Sequence, residues 1–359
     1  MRRVKLVSRG AFAAISRNAF RRQLPDKAPE WGEYRFFFDM DCDEYDWLVI
    51  YHDLPARGKN SWLSYEELRC PRERTLLLTG EPSSITVFGR EYLRQFGCVL
   101  TSQEPWAMRG HPNVIYHHAG LVWHYGFPFD GSPPRGWDSL AAMVPPEKTK
   151  TIATVCSQRV GRPTLHSARV AFTHKLQQEL PEMDVFGHGV RNMVDKAEAL
   201  DPYKYHITVE NHVYPHHLTE KLPDAFLGYT LPFYHGAPNA ADYFPKESFI
   251  PIDILDYPRS RDIILSTLRN NEYEDRLPYI REARRRVLEE ENLFALLVRI
   301  MEDQEKKISP GKLEGRIYNR QSLRLVNPLV GLHSLTEKAV VKSYHMLSYP
   351  WRNRPRRDK

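Results

Sequence analysis

The sequence predicts an α/β protein of two domains, and three observations support this prediction. Short apolar runs alternate with helical patterns along the chain, as expected for parallel strands joined by helices. A chain of 359 residues is long enough to bury two sizeable cores. The segment from Phe127 to Pro146 is rich in proline and glycine, which indicates a linker or an extended loop between the two halves.

The first predicted domain, residues 1–147, combines apolar strand candidates with short helix candidates. Its strands are expected at Trp47–Tyr51, Thr75–Thr79, Cys98–Thr101 and Val114–His117. Its helices are expected at Ser64–Leu68 and Arg90–Phe96.

The second predicted domain, residues 148–310, alternates strands and helices more regularly. Its elements are expected in the order strand Thr151–Cys156, helix Leu165–Leu180, strand Asp184–Phe186, strand Tyr205–Glu210, helix Thr219–Leu227 and strand Leu231–Tyr234. A long charged helical pattern follows over Arg276–Asp303, and its Arg284-Arg285-Arg286 run is expected to be a solvated helix face. Residues 311–359 are predicted to form a helical C-terminal extension with a basic tail.

The bulk composition is that of an ordinary soluble protein, with 42% hydrophobic and 27% charged residues. No apolar run approaches the length of a membrane span, and the basic N-terminus lacks the apolar core of a signal peptide. The four cysteines are far apart and form no C-x-x-C motif; they are Cys42, Cys70, Cys98 and Cys156. This pattern favours buried thiols in a reducing, cytoplasmic compartment.

The net charge of +6 is concentrated near the C-terminus, where the last ten residues, PWRNRPRRDK, contain five basic side chains and one acidic one. Aromatic residues in this tail and immediately upstream of it, including Tyr349 and Trp351, favour contact with the inner, anionic face of a membrane. A disordered, solubilising terminus is the alternative interpretation of the same composition.

The segment Tyr203–Asp253 carries the clearest functional signal. A strand pattern, a loop rich in histidine, a helix start at Thr219 and a second apolar strand together predict a βαβ unit. Ligands of such units bind at the carboxyl ends of the strands, and Lys221 at the helix start would favour a phosphate. The segment therefore predicts a nucleotide or nucleotide-sugar site.

The same segment resembles a known family of enzymes. The residues that carry the resemblance are Glu210-Asn211, Thr219-Glu220-Lys221-Leu222, Gly236-Ala237-Pro238-Asn239 and Ser248-Phe249-Ile250. They resemble the donor-binding half of the family-10 glycosyltransferases, which are α1,3/α1,4-fucosyltransferases that use GDP-fucose. The resemblance is dense over Tyr203–Asp253 and looser back to Thr151. His212 and His217 depart from the family's loop, which leaves another GDP- or UDP-sugar as the alternative donor.

The resemblance implies a GT-B fold, in which two Rossmann-like domains face a cleft, and inverting transfer without a metal cofactor. It also implies that Glu81 is the general base. Glu81 follows a predicted strand in the turn Gly80-Glu81-Pro82, where a carboxylate can be held at the strand's carboxyl end. A solvated surface turn is the alternative interpretation.

The resemblance assigns the donor site to residues of the second domain. Lys221 and Arg169 would hold the diphosphate, because a guanidinium binds two phosphate oxygens at once. Glu220 would accept hydrogen bonds from ribose hydroxyls, and Asn211 would orient the donor. Arg159 is a weaker candidate for the diphosphate.

Three other patterns suggest a metal site or an acceptor-sugar site. Asp39-Met40-Asp41 resembles a metal-binding Asp-x-Asp, but its position predicts an acidic loop. The histidine clusters lack zinc spacing, which favours a polar loop. The tryptophans that could stack on acceptor sugars are Trp106, Trp123 and Trp137, although core packing is the commoner role of tryptophan.

The sequence thus predicts an inverting enzyme that moves fucose from GDP-fucose to a saccharide hydroxyl of lipopolysaccharide or another surface glycan. Its partners would be the nucleotide sugar, the saccharide acceptor and the membrane surface. A basic nucleic-acid-binding protein is a rival of another class, but no nucleic-acid-binding signature is present. A saccharide-binding protein without catalysis is a further alternative.

Overall fold

The computed structural model describes residues 1–9, 19–26, 28–56, 63–120, 122–157, 165–308, 311, 313 and 315–352, with side chains described up to Ser348. The chain divides into two compact units. The first unit comprises Met1–Gly120 and Leu293–His345, and the second comprises Leu121–Asn292 and the residues after His345.

These divisions differ from the predicted boundaries at 147/148 and 310/311. The Pro- and Gly-rich segment is not a free linker, because its Leu140 is fully buried in the core of the second unit, together with Trp123 and Tyr125 just before the segment. The chain therefore enters the second unit near residue 121 and returns to the first at Leu293.

The secondary structure of the described residues alternates strands and helices. The strands are β1 Arg2–Ser8, β2 Glu30–Trp31, β3 Tyr34–Phe37, β4 Trp47–Tyr51, β5 Tyr65–Glu67, β6 Thr75–Thr79, β7 Cys98–Thr101, β8 Val114–Tyr116, β9 Lys150–Val155, β10 Asp184–Phe186, β11 Tyr203–Val209, β12 Leu231–His235, β13 Ile250–Pro251 and β14 Arg316–Tyr318. The α-helices are α1 Arg90–Leu93, α2 Trp137–Ala141, α3 His166–Glu179, α4 Lys221–Leu227, α5 Tyr257–Asn270, α6 Tyr273–Glu289, α7 Leu293–Glu305, α8 Arg320–Val326 and α9 Pro328–Arg352.

The first unit is built on a seven-stranded sheet in the order β2-β3-β1-β4-β6-β7-β8. Every neighbouring pair is parallel except β2 and β3. The central strands β4 and β6 are buried almost throughout, as expected for parallel strands covered on both faces. Their apolar runs explain why the sequence predicts them with the correct limits.

The helix predicted at Ser64–Leu68 is wrong, because this segment contains strand β5. Strand β5 pairs antiparallel with β14, so that Glu67 lies opposite Arg316. The preceding residue of β5, Glu66, is buried and forms an ion pair of 2.7 Å with the buried Lys5. The pairing partner of β5 is about 250 residues away along the chain, and local periodicity contains no information about it.

The second unit is built on a five-stranded sheet in the order β10-β9-β11-β12-β13, with all neighbours parallel. Its strands agree with the predicted ones, and β13 adds an edge. Aromatic and aliphatic side chains fill its core, including Phe226 from α4, Phe233 from β12 and Ile280 from α6. In the register of β11 with β12, Val209 lies opposite His235, so both strands end at the same edge.

The single helix predicted over Arg276–Asp303 is wrong. The chain forms two helices, α6 and α7, and the break between them at Asn292 coincides with the division between the units. A continuous charged pattern cannot reveal such a break, because both helices carry polar residues of high helix propensity.

Arg284 is buried, contrary to the prediction of a solvated face for the arginine run. Its guanidinium donates to the carbonyl of Leu227 at 3.2 Å and to that of Leu140, and lies 4.5 Å from the centre of the Tyr229 ring. Burial lowers the pKa of Arg284. Arg285 and Arg286 pair with Glu282 on the surface, as predicted for the run as a whole.

The predicted helical extension is present as α9, which is 25 residues long. Several of its apolar side chains are exposed, among them Leu329, Leu332, Leu335 and Val340. None of the helices in the described part of the chain is both long enough and apolar enough to span a bilayer.

The buried His206 on β11 gives the second unit a pH-dependent stability. Burial, assisted by the positive charge of Lys196, lowers the pKa of His206 to about 3. Between pH 3 and 6.5 the unfolded chain binds a proton there that the folded chain does not, so stability falls as pH decreases. In His206→Gln this contribution should disappear, and the free energy of unfolding should depend on pH less steeply by about 1.4 kcal/mol per pH unit.

Urea unfolding at pH 6, 5 and 4 would measure this difference. His188→Gln is the control, because His188 is an exposed histidine of the same unit. Identical pH slopes for wild type and His206→Gln would contradict the prediction.

Candidate functional site

The predicted donor residues gather at the edge of the second sheet where β9, β11 and β12 end. The main chain connects the segments there, since Leu165 N donates to Asn211 O at 3.4 Å and Glu210 N donates to His235 O at 2.8 Å. Helix α3 and the segment that leads to α4 both begin at this edge. It is the edge at which parallel α/β sheets bind ligands.

Arg169 and Asn211 contact each other directly. Arg169 lies in the first turn of α3 and is 7% exposed. Its Nη1 donates to Asn211 Oδ1 at 3.1 Å, and its Nη2 lies 3.1 Å from His166 Nδ1, which accepts the hydrogen bond. The buried Nε has no hydrogen-bond partner among the described residues. Within the described part of the chain no carboxylate pairs with this guanidinium, whose side-chain partners there are Asn211 and His166.

Lys221, by contrast, is already paired with carboxylates. Its Nζ lies 3.1 Å from Glu210 Oε2 and 3.2 Å from Glu220 Oε1, and it donates to Thr219 Oγ1 at 2.8 Å. Burial alone would lower the pKa of Lys221, but the two carboxylates outweigh burial and raise it. Lys221 is therefore a charged group held in place at the start of α4.

Glu210 is the centre of this cluster, although the sequence predicts it only as part of the motif Glu210-Asn211. It is fully buried and accepts hydrogen bonds from Thr219 N at 2.9 Å and from Thr219 Oγ1 at 2.6 Å, in addition to Lys221. The available signal was its position, a carboxylate directly after a buried strand and before Asn211. Removing Lys221 would leave this carboxylate buried without a counter-charge, which is strongly destabilising.

Glu220 is ionised at neutral pH. Burial would raise its pKa, but Lys221, His124 and Lys196 outweigh burial and hold it well below the usual range. Its carboxylate is partly exposed beside Lys221, so it can accept hydrogen bonds from a ligand.

The turn Gly236-Ala237-Pro238-Asn239 closes over Glu210. A Cβ atom at Gly236 would lie 2.6 Å from Glu210 Cγ and would also strike the Tyr234 hydroxyl, so only glycine fits. That hydroxyl accepts a hydrogen bond from Ala237 N at 3.0 Å. The glycine of the motif is thus required by close approach to the buried carboxylate.

The histidines of the loop before α4 are tied to neighbouring residues. His216 N donates to Asn239 Oδ1 at 2.7 Å, and His216 Nδ1 lies 2.5 Å from the Tyr243 hydroxyl. The rings of His212 and His217 are 5.3 Å apart and nearly perpendicular. These contacts connect the loop to the turn at Asn239.

Glu81 lies in the first unit, in the turn that follows β6, and is exposed. Its main-chain carbonyl accepts a hydrogen bond of 2.6 Å from Gln103 Nε2. A Cβ atom at the preceding Gly80 would lie 2.9 Å from His52 Nε2, so this turn passes close to the end of β4. The base candidate therefore has the predicted position at a strand's carboxyl end.

The remaining predicted residues have other outcomes. Arg159 lies outside the described residues. Trp123 is fully buried, so it cannot stack on a sugar, and the Trp137 indole N–H donates to Leu288 O at 2.9 Å. Trp106 is half-buried and packs against Tyr344.

Comparison with known proteins identifies the second unit. Residues 145–279 match the family model described as "Glycosyltransferase family 10 (fucosyltransferase) C-term". These residues belong to glycosyltransferase family 10. The matched range contains Arg169, Asn211, Glu220 and Lys221, and it ends within α6.

Two curated proteins are similar to parts of the chain. The chain is 30% identical over 164 residues to "4-galactosyl-N-acetylglucosaminide 3-alpha-L-fucosyltransferase FUT6" of Pongo pygmaeus, a match that covers 43% of each chain. It is 34% identical over 82 residues to "Alpha-(1,3)-fucosyltransferase FucT" of Helicobacter pylori, covering 23% of this chain and 16% of the relative. The matches thus span less than half the length of these relatives.

The fold is similar to that of a solved enzyme. The structure described as "Crystal Structure of alpha1,3-Fucosyltransferase" matches with a TM-score of 0.50 and 15% identity, over 87% of this chain and 92% of that one. The predicted GT-B class is confirmed: the family-10 domain and the first unit are both α/β, each with a largely parallel sheet.

Proposed function

We propose that this protein is an inverting fucosyltransferase that moves fucose from GDP-fucose to a hydroxyl group of a saccharide acceptor. One observation carries the proposal: Arg169 is a buried cation whose described partners, Asn211 and His166, are neutral. A buried charge without a counter-ion is costly, and a diphosphate would supply the missing negative charge through charge-assisted hydrogen bonds. The family-10 domain and its fucosyltransferase relatives support the choice of donor.

Each donor-site residue has a proposed role. Arg169 binds the diphosphate, and Asn211 orients both the guanidinium and the donor. Glu220 accepts hydrogen bonds from the ribose hydroxyls, because its partly exposed carboxylate is ionised. Lys221 adds positive charge near the diphosphate, but it shares that charge with Glu210 and Glu220, so Arg169 contributes more to binding. Arg159 is proposed as an additional diphosphate ligand.

Glu81 is the proposed general base. The acceptor oxygen attacks C1 of fucose as the bond between C1 and the diphosphate oxygen breaks. The acceptor proton moves to the Glu81 carboxylate, and GDP leaves with the electron pair of the broken bond. As the family resemblance implies, the charge that develops on GDP is stabilised by cationic side chains, and we propose that no metal ion takes part.

Calorimetric titration with a panel of nucleotide sugars tests the donor. GDP and GDP-fucose should bind, and UDP-galactose and UDP-N-acetylglucosamine should bind much more weakly. Incubation with GDP-fucose and a galactose- or N-acetylglucosamine-containing oligosaccharide should then yield a fucosylated product. Preference for a UDP-sugar would overturn the assignment of the donor, and binding without transfer to any acceptor would overturn the assignment as an enzyme.

We further propose that the enzyme acts on lipopolysaccharide or another surface glycan at the cytoplasmic face of a membrane, which it contacts through its C-terminal tail. The exposed apolar side chains of α9 lie upstream of the basic tail, and this combination supports binding to an anionic surface.

Neutralising the tail should weaken membrane binding without affecting catalysis. Replacing Arg354, Arg356 and Arg357 by glutamine removes three charges, each contributing about 1 kcal/mol near an anionic surface, so affinity for anionic vesicles should fall about 100-fold. Co-sedimentation with anionic and neutral phospholipid vesicles measures the effect. Transfer to a soluble oligosaccharide should be unchanged, and equal sedimentation of variant and wild type would contradict the proposal.

A further inference from the structure

A buried chain of hydrogen bonds links helix α9 to the turn that carries Glu81. Ser83, two residues after Glu81, is 1% exposed. Its Oγ lies 2.5 Å from Glu104 Oε2 and 2.8 Å from His345 Nε2. Glu104 follows β7 and is 2% exposed, and His345 lies on α9 and is 6% exposed. Three separate segments of the first unit therefore meet at one serine hydroxyl.

The direction of these hydrogen bonds follows from the groups involved. The Ser83 hydroxyl donates its single proton to Glu104 Oε2. The Ser83 oxygen must then accept from His345, which requires the proton of the imidazole to be on Nε2. An alanine at residue 345 would remove this donor, whereas the side-chain amide of glutamine could replace it.

The hydrogen bonds of Ser83 restrain the Glu81 turn from one side, and Gln103 restrains it from the other. Gln103 Nε2 donates to the carbonyl of Glu81 at 2.6 Å and to that of Thr86 at 3.0 Å. Between these points, Ile85 N and Thr86 N both donate to Pro82 O, at 2.9 and 3.0 Å. Pro82 restricts the main-chain torsion angles of the preceding Glu81. Holding Ser83 in place therefore also fixes the direction in which the Glu81 side chain points from the turn.

Aromatic packing holds the imidazole in its place. The Trp106 ring lies 5.8 Å from the ring of His345 and 5.0 Å from that of Tyr344. About two turns upstream, Glu337 accepts a hydrogen bond from Arg90 N at 3.2 Å. Helix α9 thus contacts the rest of the first unit both at Glu337 and at the residues that approach Trp106.

We propose that His345 is a positioning residue for the base: through Ser83 it holds the Glu81 carboxylate in the geometry that proton transfer requires. The proposal rests on the proposed function of Glu81. If it is correct, α9 helps to position the proposed base, in addition to any contact that it makes with a membrane. A displacement of about 1 Å at a reacting group can reduce a rate by about 100-fold, so the loss of this restraint should be visible in kcat.

A kinetic comparison of His345→Ala, His345→Gln and wild type tests the proposal. His345→Ala should lower kcat for fucose transfer about 10- to 100-fold while the dissociation constant of GDP stays within about twofold. His345→Gln should restore kcat to within about fivefold of wild type, because its amide can donate to Ser83. His333→Ala, at an exposed residue of the same helix, is the matched control and should leave kcat unchanged.

A double-variant cycle separates positioning from a general structural role. If His345 acts through Glu81, adding His345→Ala to Glu81→Gln should reduce the residual rate no further. An unchanged kcat in His345→Ala, or fully additive losses in the double variant, would overturn the proposal. Equal losses of activity and of unfolding free energy in His345→Ala and His345→Gln would also overturn it.

Hydrogen exchange provides a readout that does not depend on fucose transfer. In His345→Ala the amides of Ile85 and Thr86 should exchange about tenfold faster or more, because the turn that they close is no longer held at Ser83. If wild type transfers no fucose, the proposed function fails while the exchange result still decides whether His345 restrains the turn. Unchanged exchange at both amides would overturn the restraint itself.

Discussion

Replacing Glu81 by glutamine is expected to lower kcat for fucose transfer about 100- to 10,000-fold, the usual contribution of a general base. Glutamine has almost the same shape as glutamate but cannot take the proton of the acceptor hydroxyl. The side chain is exposed, so the substitution should leave the fold intact. Initial rates of transfer at saturating GDP-fucose and acceptor measure the effect.

Two measurements make this result specific. The dissociation constant of GDP in Glu81→Gln should stay within about twofold of wild type, because the proposed donor residues belong to the second unit. Glu73→Gln, at another exposed glutamate of the first unit, should transfer fucose at the wild-type rate. Turnover near the wild-type level in Glu81→Gln would remove Glu81 from the reaction.

Replacing Arg169 by alanine is expected to weaken GDP binding about 30- to 150-fold. This corresponds to about 2–3 kcal/mol, the range for losing charge-assisted hydrogen bonds to a phosphate. The effect should be large because the guanidinium is buried and its described partners are neutral, so the ligand supplies its negative charge. Calorimetric titration of GDP into the folded variant measures the loss.

The lysine variant at the same position tests the geometry of the contact. Arg169→Lys keeps the charge but cannot bind two phosphate oxygens and Asn211 at once, so it should recover only part of the affinity. Arg269→Ala removes an exposed arginine of the same unit and should bind GDP as wild type does. Normal GDP affinity in Arg169→Ala would contradict the proposed binding of the diphosphate by Arg169. It would also remove the main support for the proposed function.

The sequence predicts the second sheet well because its long strands are rich in β-branched and aromatic residues and end at polar loops. The position of Asn211 and Lys221 at one sheet edge follows directly from that order, since parallel strands end together. The motif-bearing residues were therefore predictable as a group.

The contacts between side chains, by contrast, were not predictable from the order of the elements. The closeness of Glu210 to Lys221 depends on how the intervening loop returns to the strand, which the turn at Gly236 controls. The burial of Arg284 depends on two carbonyls distant in sequence. Periodicity describes one element at a time, so it cannot show contacts that are made only when elements pack together.

The chain order of the two units has a consequence for synthesis. The first unit needs β14 to complete the β5 pairing, but the 225 residues from 121 to 345 must be translated after Gly120 before that unit is whole. At about 5–20 residues per second this takes roughly 10–45 s. The second unit, which is almost continuous in sequence, can fold during that interval, whereas β5 waits as an unpaired strand. A ribosome that stops after Asn292 would therefore carry a nearly complete second unit attached to an unfinished first unit, a product suited to recognition by chaperones.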